Sequence, residues 1–313
     1  MGEHEDSSAL ANRLFAEGNR FLGTDYPIMC GAMTWISEPE LVAAVSNSGA
    51  FASLAAGNTP GEELKKQVAQ TRELTSRPFA VNLVTVAPAY QEQLEAVCEV
   101  GLPFIIFAGS FPRLEEIKKA KESGAKVLCF ASTLSIARRM IRYGADAIIL
   151  EGMEAGGHVG HVSLTVLLQQ VLFELEGVPV FTAGGIGTGK MCAHLLLMGA
   201  AGVQMGTRFV LTKECKADPA FKEKLQRAHA RNAVATPQYD SRLPVVAVRA
   251  LNNKGMDDFR KLQLDLIQKL DKGEVKREDA QAEVERFWMG ALRHAVQEGE
   301  VEHGSLMSGQ SVG

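Results

Sequence analysis

The 313 residues include only five cysteines, Cys30, Cys98, Cys129, Cys192 and Cys215, and no two of them form a CxxC pair. An odd, scattered set excludes a disulfide framework and fits free thiols in a reducing compartment, so the cytoplasm is the expected location. Long hydrophobic runs are also missing. The longest, such as FIIFAG from Phe104 and VPVFTAGG from Val178, have the length of a strand and fall far short of a bilayer span, which argues against a membrane protein. The opening MGEHEDSS is acidic and polar, with no apolar signal core and with Asp6 where a myristoylation pattern needs Ser or Thr. Positive charge is not in excess: 33 Lys and Arg against 37 Asp and Glu leave a net charge of -4. Without a basic stripe interleaved with aromatics, nucleic acid is excluded as a partner.

What is present is ordinary globular composition, 46% hydrophobic and 22% charged, enough for one large barrel or two smaller domains. A unit recurs along the chain: a short apolar run, a few polar or Gly residues, an amphipathic stretch, then a Gly-Ala turn. SGA at Ser48, SGA at Ser123, YGA at Tyr143 and MGA at Met198 stand at the helix-to-strand joints, where Gly can end a helix in the left-handed conformation. Strands are expected at YPIMCGAM (from Tyr26), FASLAA (Phe51), FAVNLVT (Phe79), FIIFAG (Phe104), KVLCFAS (Lys126), AIILEG (Ala147), PVFTAG (Pro179) and GVQMGT (Gly202). Apolar strands alternating with helices mean a parallel sheet covered on its outside, and about eight units close a barrel. The expected fold is a (β/α)8 TIM barrel with a C-terminal helical lid, favoured over an open doubly wound sheet because no composition break divides the units. The expected division is 1–214 for the barrel core with its N-terminal helix, 215–300 for the last barrel helix plus the lid, and 301–313 for a C-terminal segment. The amphipathic ALANRLFAEGNRFLG is expected to plug the bottom of the barrel.

In such a barrel the C-terminal ends of the strands form the active face, and unusual residues gather there. Gly31, Ala32 and Met33 end the first strand, Asn82 sits in the third, Glu151 to His158 follow the sixth, Gly184 and Gly185 end the seventh, and Gln204, Gly206 and Thr207 end the eighth. The glycine loops AGGIGTG and MGT let backbone N–H groups approach a phosphate. GGIGTGKM mimics a nucleotide-triphosphatase loop up to Lys190, but Met191 replaces the Ser or Thr that would hold magnesium. In EGMEAGGHVGH, Gly156 and Gly157 let the backbone approach a flat ligand, and His158 can donate a hydrogen bond or exchange a proton near neutral pH. Glu154, His158 and His161 could ligate a metal, but the glycines spoil the helix that such spacing needs, so no metal is expected. His161 alone reads as a surface or supporting residue. Asn82 needs a partner, either a bound ring or a structural hydrogen bond, and Cys30 reads as a small buried apolar residue.

DYPIMCGAM, AAGNTP, RPFAVNL, EGMEAGGHVG, VPVFTAGGIGTG, GVQMGTRFVLTKEC, AVRALNN and GSLMSGQSVG together resemble the nitronate monooxygenase superfamily of FMN barrels. The pattern looks most like the FMN-dependent type II enoyl-acyl-carrier-protein reductases. The resemblance implies FMN with its ring near Gly31, Ala32, Met33, Asn82 and Glu151, and its phosphate on Gly184, Gly185, Gln204, Gly206 and Thr207. It makes His158 the active-site residue and has Ser308, Gly309 and Gln310 close over the flavin. It further implies NAD(P)H as co-substrate and reduction of an enoyl thioester, carried by a small molecule or by acyl carrier protein, with a lid near Arg249 to Asn253 meeting the acyl or pantetheine portion. Oxidation of alkyl nitronates with O2, quinone reduction, and a non-catalytic flavin-binding subunit are the alternatives; a homodimer is compatible with each. Two departures stand out: Thr188 where the family commonly has Asp, and an end just after GQSVG where relatives usually continue.

Overall fold

The computed structural model describes residues 2–57, 59–243 and 247–313, with side chains from residue 9 onward, so Asn58 of the AAGNTP motif lies outside the described residues. In chain order the strands are β1 (Ile28–Cys30), β2 (Phe51–Ala55), β3 (Ala80–Val84), β4 (Phe104–Ala108), β5 (Lys126–Ala131), β6 (Ala147–Glu151), β7 (Gly157–His158), β8 (Val180–Ala183), β9 (Gly202–Met205), β10 (Ala233–Ala235) and β11 (Val248–Leu251). The helices are α1 (Gly2–Leu22), α2 (Pro39–Asn47), α3 (Gly61–Leu74), α4 (Tyr90–Glu99), α5 (Leu114–Glu122), α6 (Leu134–Tyr143), α7 (Leu164–Gln170), α8 (Gly189–Leu197), α9 (Thr207–Val210), α10 (Pro219–Arg227), α11 (Lys254–Asp271) and α12 (Arg277–Glu298). The strands β1-β2-β3-β4-β5-β6-β8-β9 form a closed parallel barrel, and each lies within one of the eight apolar runs read from the sequence.

The two-residue period of a strand divides each run between two apolar surroundings. Val81, Leu83, Ile105, Phe107, Ile148 and Leu150 point outward and pack under the helices. Met29, Phe51, Phe104, Ile106, Leu128, Ile149 and Phe181 fill the barrel. Large rings inside require small neighbours. A Cβ at Gly202 would stand 2.7 Å from the Phe181 ring, so this glycine makes its room. The four glycines at the expected joints, Gly49, Gly124, Gly144 and Gly199, all take positive φ, between 88° and 108°, which a side chain would strain.

Helix α1 closes the bottom as expected. The Phe21 ring lies 5.9 Å from Phe104 and 5.8 Å from Phe181, and Lys126 Nζ donates to the Phe21 carbonyl at 2.7 Å. Over the opposite end sits a cap. Helices α11 and α12 were legible, but they pack on an antiparallel sheet of order β10-β11-β7, so the region is not purely helical. Phe259 and Trp288 stack at 4.2 Å in the cap core. Further along α12, Leu292, Ala295 and Val296 pack into the barrel core, so one rigid helix joins cap to barrel. Among the described residues no helix is long and apolar enough to cross a membrane.

Candidate active site

The same strand period that fills the barrel decides what forms the floor of its mouth. Two positions beyond Ala80 comes Asn82, two beyond Ile149 comes Glu151, and two beyond Gly202 comes Gln204, so three strands carry an inward polar side chain toward the mouth. They line a cavity of about 440 Å³ at the C-terminal end of the barrel, within the usual size range of ligand sites. Gln204 Oε1 is buried with no hydrogen-bond partner. Among the described residues the side chains of Asn82 and Glu151 make no hydrogen bond either. Burial pushes the Glu151 carboxyl up to about 8, so it is neutral at pH 7.

The EGMEAGGH loop leaves β6 and turns up into the cap, and its turn is built from glycines and one acid. Glu154 accepts the Leu164 N–H at 3.0 Å, satisfying the first turn of α7. This carboxylate is therefore engaged as a helix cap. Gly157 has φ +74° and begins β7, where it pairs with Arg249 and His158 pairs with Val248. Val159 N–H donates to Ala247 O at 2.9 Å, extending the pairing. His158 thus projects into the cavity from a strand. The surrounding protein lowers its pKa by desolvation, opposed by Glu285, so the ring is neutral at pH 7.

Arg249 is 3% exposed and is absent from the cavity wall. Its Nε donates to Met153 O at 2.9 Å and its Nη1 to Ala233 O at 2.6 Å, so it anchors the histidine loop to the cap from behind. Asn253 caps α11 and donates to Val301 O and Gly304 O. The stretch from Arg249 to Asn253 is a brace, a correction to its reading as a lid on the substrate: the side chains of Arg249 and Asn253 are spent on backbone partners.

The glycine loops come together on the opposite wall. Gly184 and Gly185 have φ +100° and +69°, and Cβ atoms there would come within 2.8 Å of Gly152 O and 2.9 Å of Glu154 Cβ. Among the described residues the N–H groups of Gly184, Gly185, Ile186 and Gly187 donate to no protein acceptor. Thr188, at the position where Asp is common, caps α8 by accepting the Met191 N–H at 3.2 Å. The C-terminal segment crosses between the walls: Gly309 N–H donates to Thr207 Oγ1 at 3.0 Å and Gln310 N–H to Glu154 O at 2.9 Å.

Gly31, Ala32, Met33, Asn82, Glu151, Gly156, Gly157, His158, Gly184, Gly185, Gln204, Gly206, Thr207 and Ser308 all line this one cavity. Gln310 does not line it and contributes its backbone to Glu154. Cys30 faces the outer helices. Sequence reasoning missed Ser110, Phe111, Phe130 and Ser132, at the ends of β4 and β5, and Leu292 and Met307, which the cap brings in. The first four had a signal, since every strand end of a barrel faces the mouth; the last two had none. The orphaned Gln204 oxygen, the neutral Glu151 acid and the unpaired loop amides fit a flat heteroaromatic ring that bears a phosphate.

The model of the nitronate monooxygenase family matches residues 18–313. This chain belongs to the nitronate monooxygenase family. Members of that family and FabK are flavin enzymes, and this chain is an oxidoreductase. FabK from Thermotoga maritima superposes with a TM-score of 0.81 at 35% identity, covering 94% of this chain and 88% of that one. A nitroalkane oxidase from Streptomyces ansochromogenes gives 0.77 at 26% identity, covering 92% and 90%. Among curated relatives, (3aS,4S,5R,7aS)-5-hydroxy-7a-methyl-1-oxo-octahydro-1H-indene-4-carboxyl-CoA dehydrogenase from Mycobacterium tuberculosis is 33% identical over 267 residues, 85% of this chain and 71% of its own. These relatives thus include one named as a dehydrogenase of a carboxyl-CoA compound and one named as a nitroalkane oxidase.

Proposed function

We propose that this protein is an FMN-dependent, NAD(P)H-consuming reductase of enoyl thioesters. The observation that carries the flavin part is the cavity floor, three unpartnered inward polar groups beside a wall of unpaired loop amides. The thioester part is supported by the 35% identity to FabK and by a relative whose name specifies a CoA compound.

Bound there, FMN would supply hydride transfer between the nicotinamide and the substrate. The N–H groups of Gly184 to Ile186 would hold its phosphate, and Asn82, Glu151 and Gln204 would meet its ring edge. As a protonated acid, Glu151 serves as a donor, and Gln204 Oε1 as an acceptor. His158, fixed by its pairing with Val248, would donate a ring N–H to the thioester carbonyl. The apolar side chains of Val159, Leu292 and Met307 would cover the acyl chain and exclude water.

A second reading is nitronate oxidation. The lowered pKa of His158 leaves a neutral imidazole, the form that can abstract the α-proton of a nitroalkane and so generate the nitronate. Assays of the FMN-reconstituted protein with crotonyl-CoA, a quinone and a nitronate in parallel separate these activities. Thioester-dependent oxidation of NADH or NADPH is expected; oxygen uptake with nitronate and no thioester turnover reverses the assignment.

A further inference from the structure

Next to the mouth of the cavity, outside its wall, stands a cation that the flavin reading leaves unused. Helix α6 reads LSIARRMIRY, three arginines and no acid, in a chain whose net charge is -4. Side chains on a helix lean toward its N-terminus, which here faces the barrel mouth. Arg139 reaches the loop after β4 in this way. Its guanidinium carbon lies 5.1 Å from the centre of the Phe111 ring and 5.8 Å from that of Tyr143. Phe111 lines the cavity yet is 41% exposed, which places it at the mouth. Arg139 Nε is shut off from solvent with no hydrogen-bond partner, and among the described residues no carboxylate pairs with this guanidinium; Glu174 is paired with Arg138 instead.

A guanidinium packed against two rings is pre-oriented, and its planar N–H fork matches a phosphate better than a point charge would. The thioester reading, on which this inference rests, requires just such an anion: the pantetheine arm of CoA and that of a carrier protein both end in a phosphate. We propose that Arg139, packed against Phe111 and Tyr143, recognises the pantetheine phosphate of the acyl carrier beside the mouth. The subsite selects the carrier while the acyl chain passes inward past Phe111.

Calorimetric titration of the FMN-reconstituted protein with 4′-phosphopantetheine, CoA and phosphate-free pantetheine tests this. The wild type is expected to prefer 4′-phosphopantetheine to pantetheine by about tenfold, the size of one good charge-assisted contact. Arg139→Gln should abolish that preference and leave the pantetheine affinity unchanged, while Arg139→Lys should keep part of it. Equal affinity for CoA and 4′-phosphopantetheine assigns recognition to the phosphate that carrier protein and CoA share. A wild type with no preference, or an Arg139→Gln protein that loses all three ligands equally, overturns the subsite. Turnover of crotonyl-CoA and crotonyl-pantetheine, followed separately, judges the thioester reading: its absence with phosphate preference intact sinks that reading and keeps the subsite.

Discussion

Replacing Gly156 by alanine should detach the C-terminal segment from the cavity wall. The new Cβ would stand 2.4 Å from the Ser308 carbonyl carbon, 2.5 Å from Gly309 N and 2.7 Å from Ser308 Cα. All three are backbone atoms, so no rotamer change relieves the overlap, and carbon atoms pack at about 3.5 to 4 Å. The segment must retreat by about 1 Å, and three hydrogen bonds go with it. These are Ser308 N–H to Arg249 O at 3.3 Å, Gly309 N–H to Thr207 Oγ1 at 3.0 Å and Gln310 N–H to Glu154 O at 2.9 Å. At about 1 kcal/mol each, local opening becomes easier by about 3 kcal/mol, so the three amides should exchange roughly a hundredfold faster. Hydrogen exchange read at Ser308 to Gln310 is the assay, with amides of β4 and β5 as internal controls. Unchanged protection of the three amides in a Gly156→Ala protein would refute the packing argument.

Three further outcomes are expected. Changing His158 to alanine should lower turnover by about 10² to 10⁴ while flavin stays bound; loss of flavin instead would show that the histidine holds the cofactor. The raised pKa of Glu151, about 8 against an ordinary 4.5, means the folded chain keeps a proton that the unfolded chain releases. Its contribution to stability is therefore full below pH 4.5 and falls as pH rises toward 8, and the Glu151→Gln protein should lack that fall. Melting curves of flavin-free wild type and Glu151→Gln that run parallel across this window would contradict the burial argument. Phe181→Ala empties a fully buried site beside Phe21 and Gly202. It should cost about 3 to 5 kcal/mol by chemical denaturation, and a loss under about 1 kcal/mol would mean that the barrel interior collapses around it.

The barrel was legible because parallel strands buried on both faces read as short apolar runs, and because glycine marks the joints at Gly49, Gly124, Gly144 and Gly199. Most of the cavity followed from the rule that strand ends face one mouth, and Phe130, two positions beyond Leu128, was reachable by the same count. The cap sheet was not. Strand β7 has two residues and β10 has three, too few for any period, and β11 joins them across long stretches of chain. The reading of Arg249 as part of a lid rests on the resemblance alone; its burial depends on the carbonyls of Met153 and Ala233, which only the folded cap supplies. In the sequence Glu154 is set aside as a metal ligand only on account of the glycines beside it; nothing in its own segment announces the Leu164 amide that it caps.

The central claim is that the cavity loads FMN and passes reducing equivalents to an enoyl thioester. Its most direct test is anaerobic: reduce the FMN-reconstituted protein with one equivalent of NADH or NADPH, then add one equivalent of crotonyl-CoA and follow the flavin absorbance. The account predicts stoichiometric return of the oxidised flavin spectrum with formation of butyryl-CoA. A protein that retains no flavin, or whose reduced flavin is unmoved by the thioester and reoxidised only by oxygen, would contradict it.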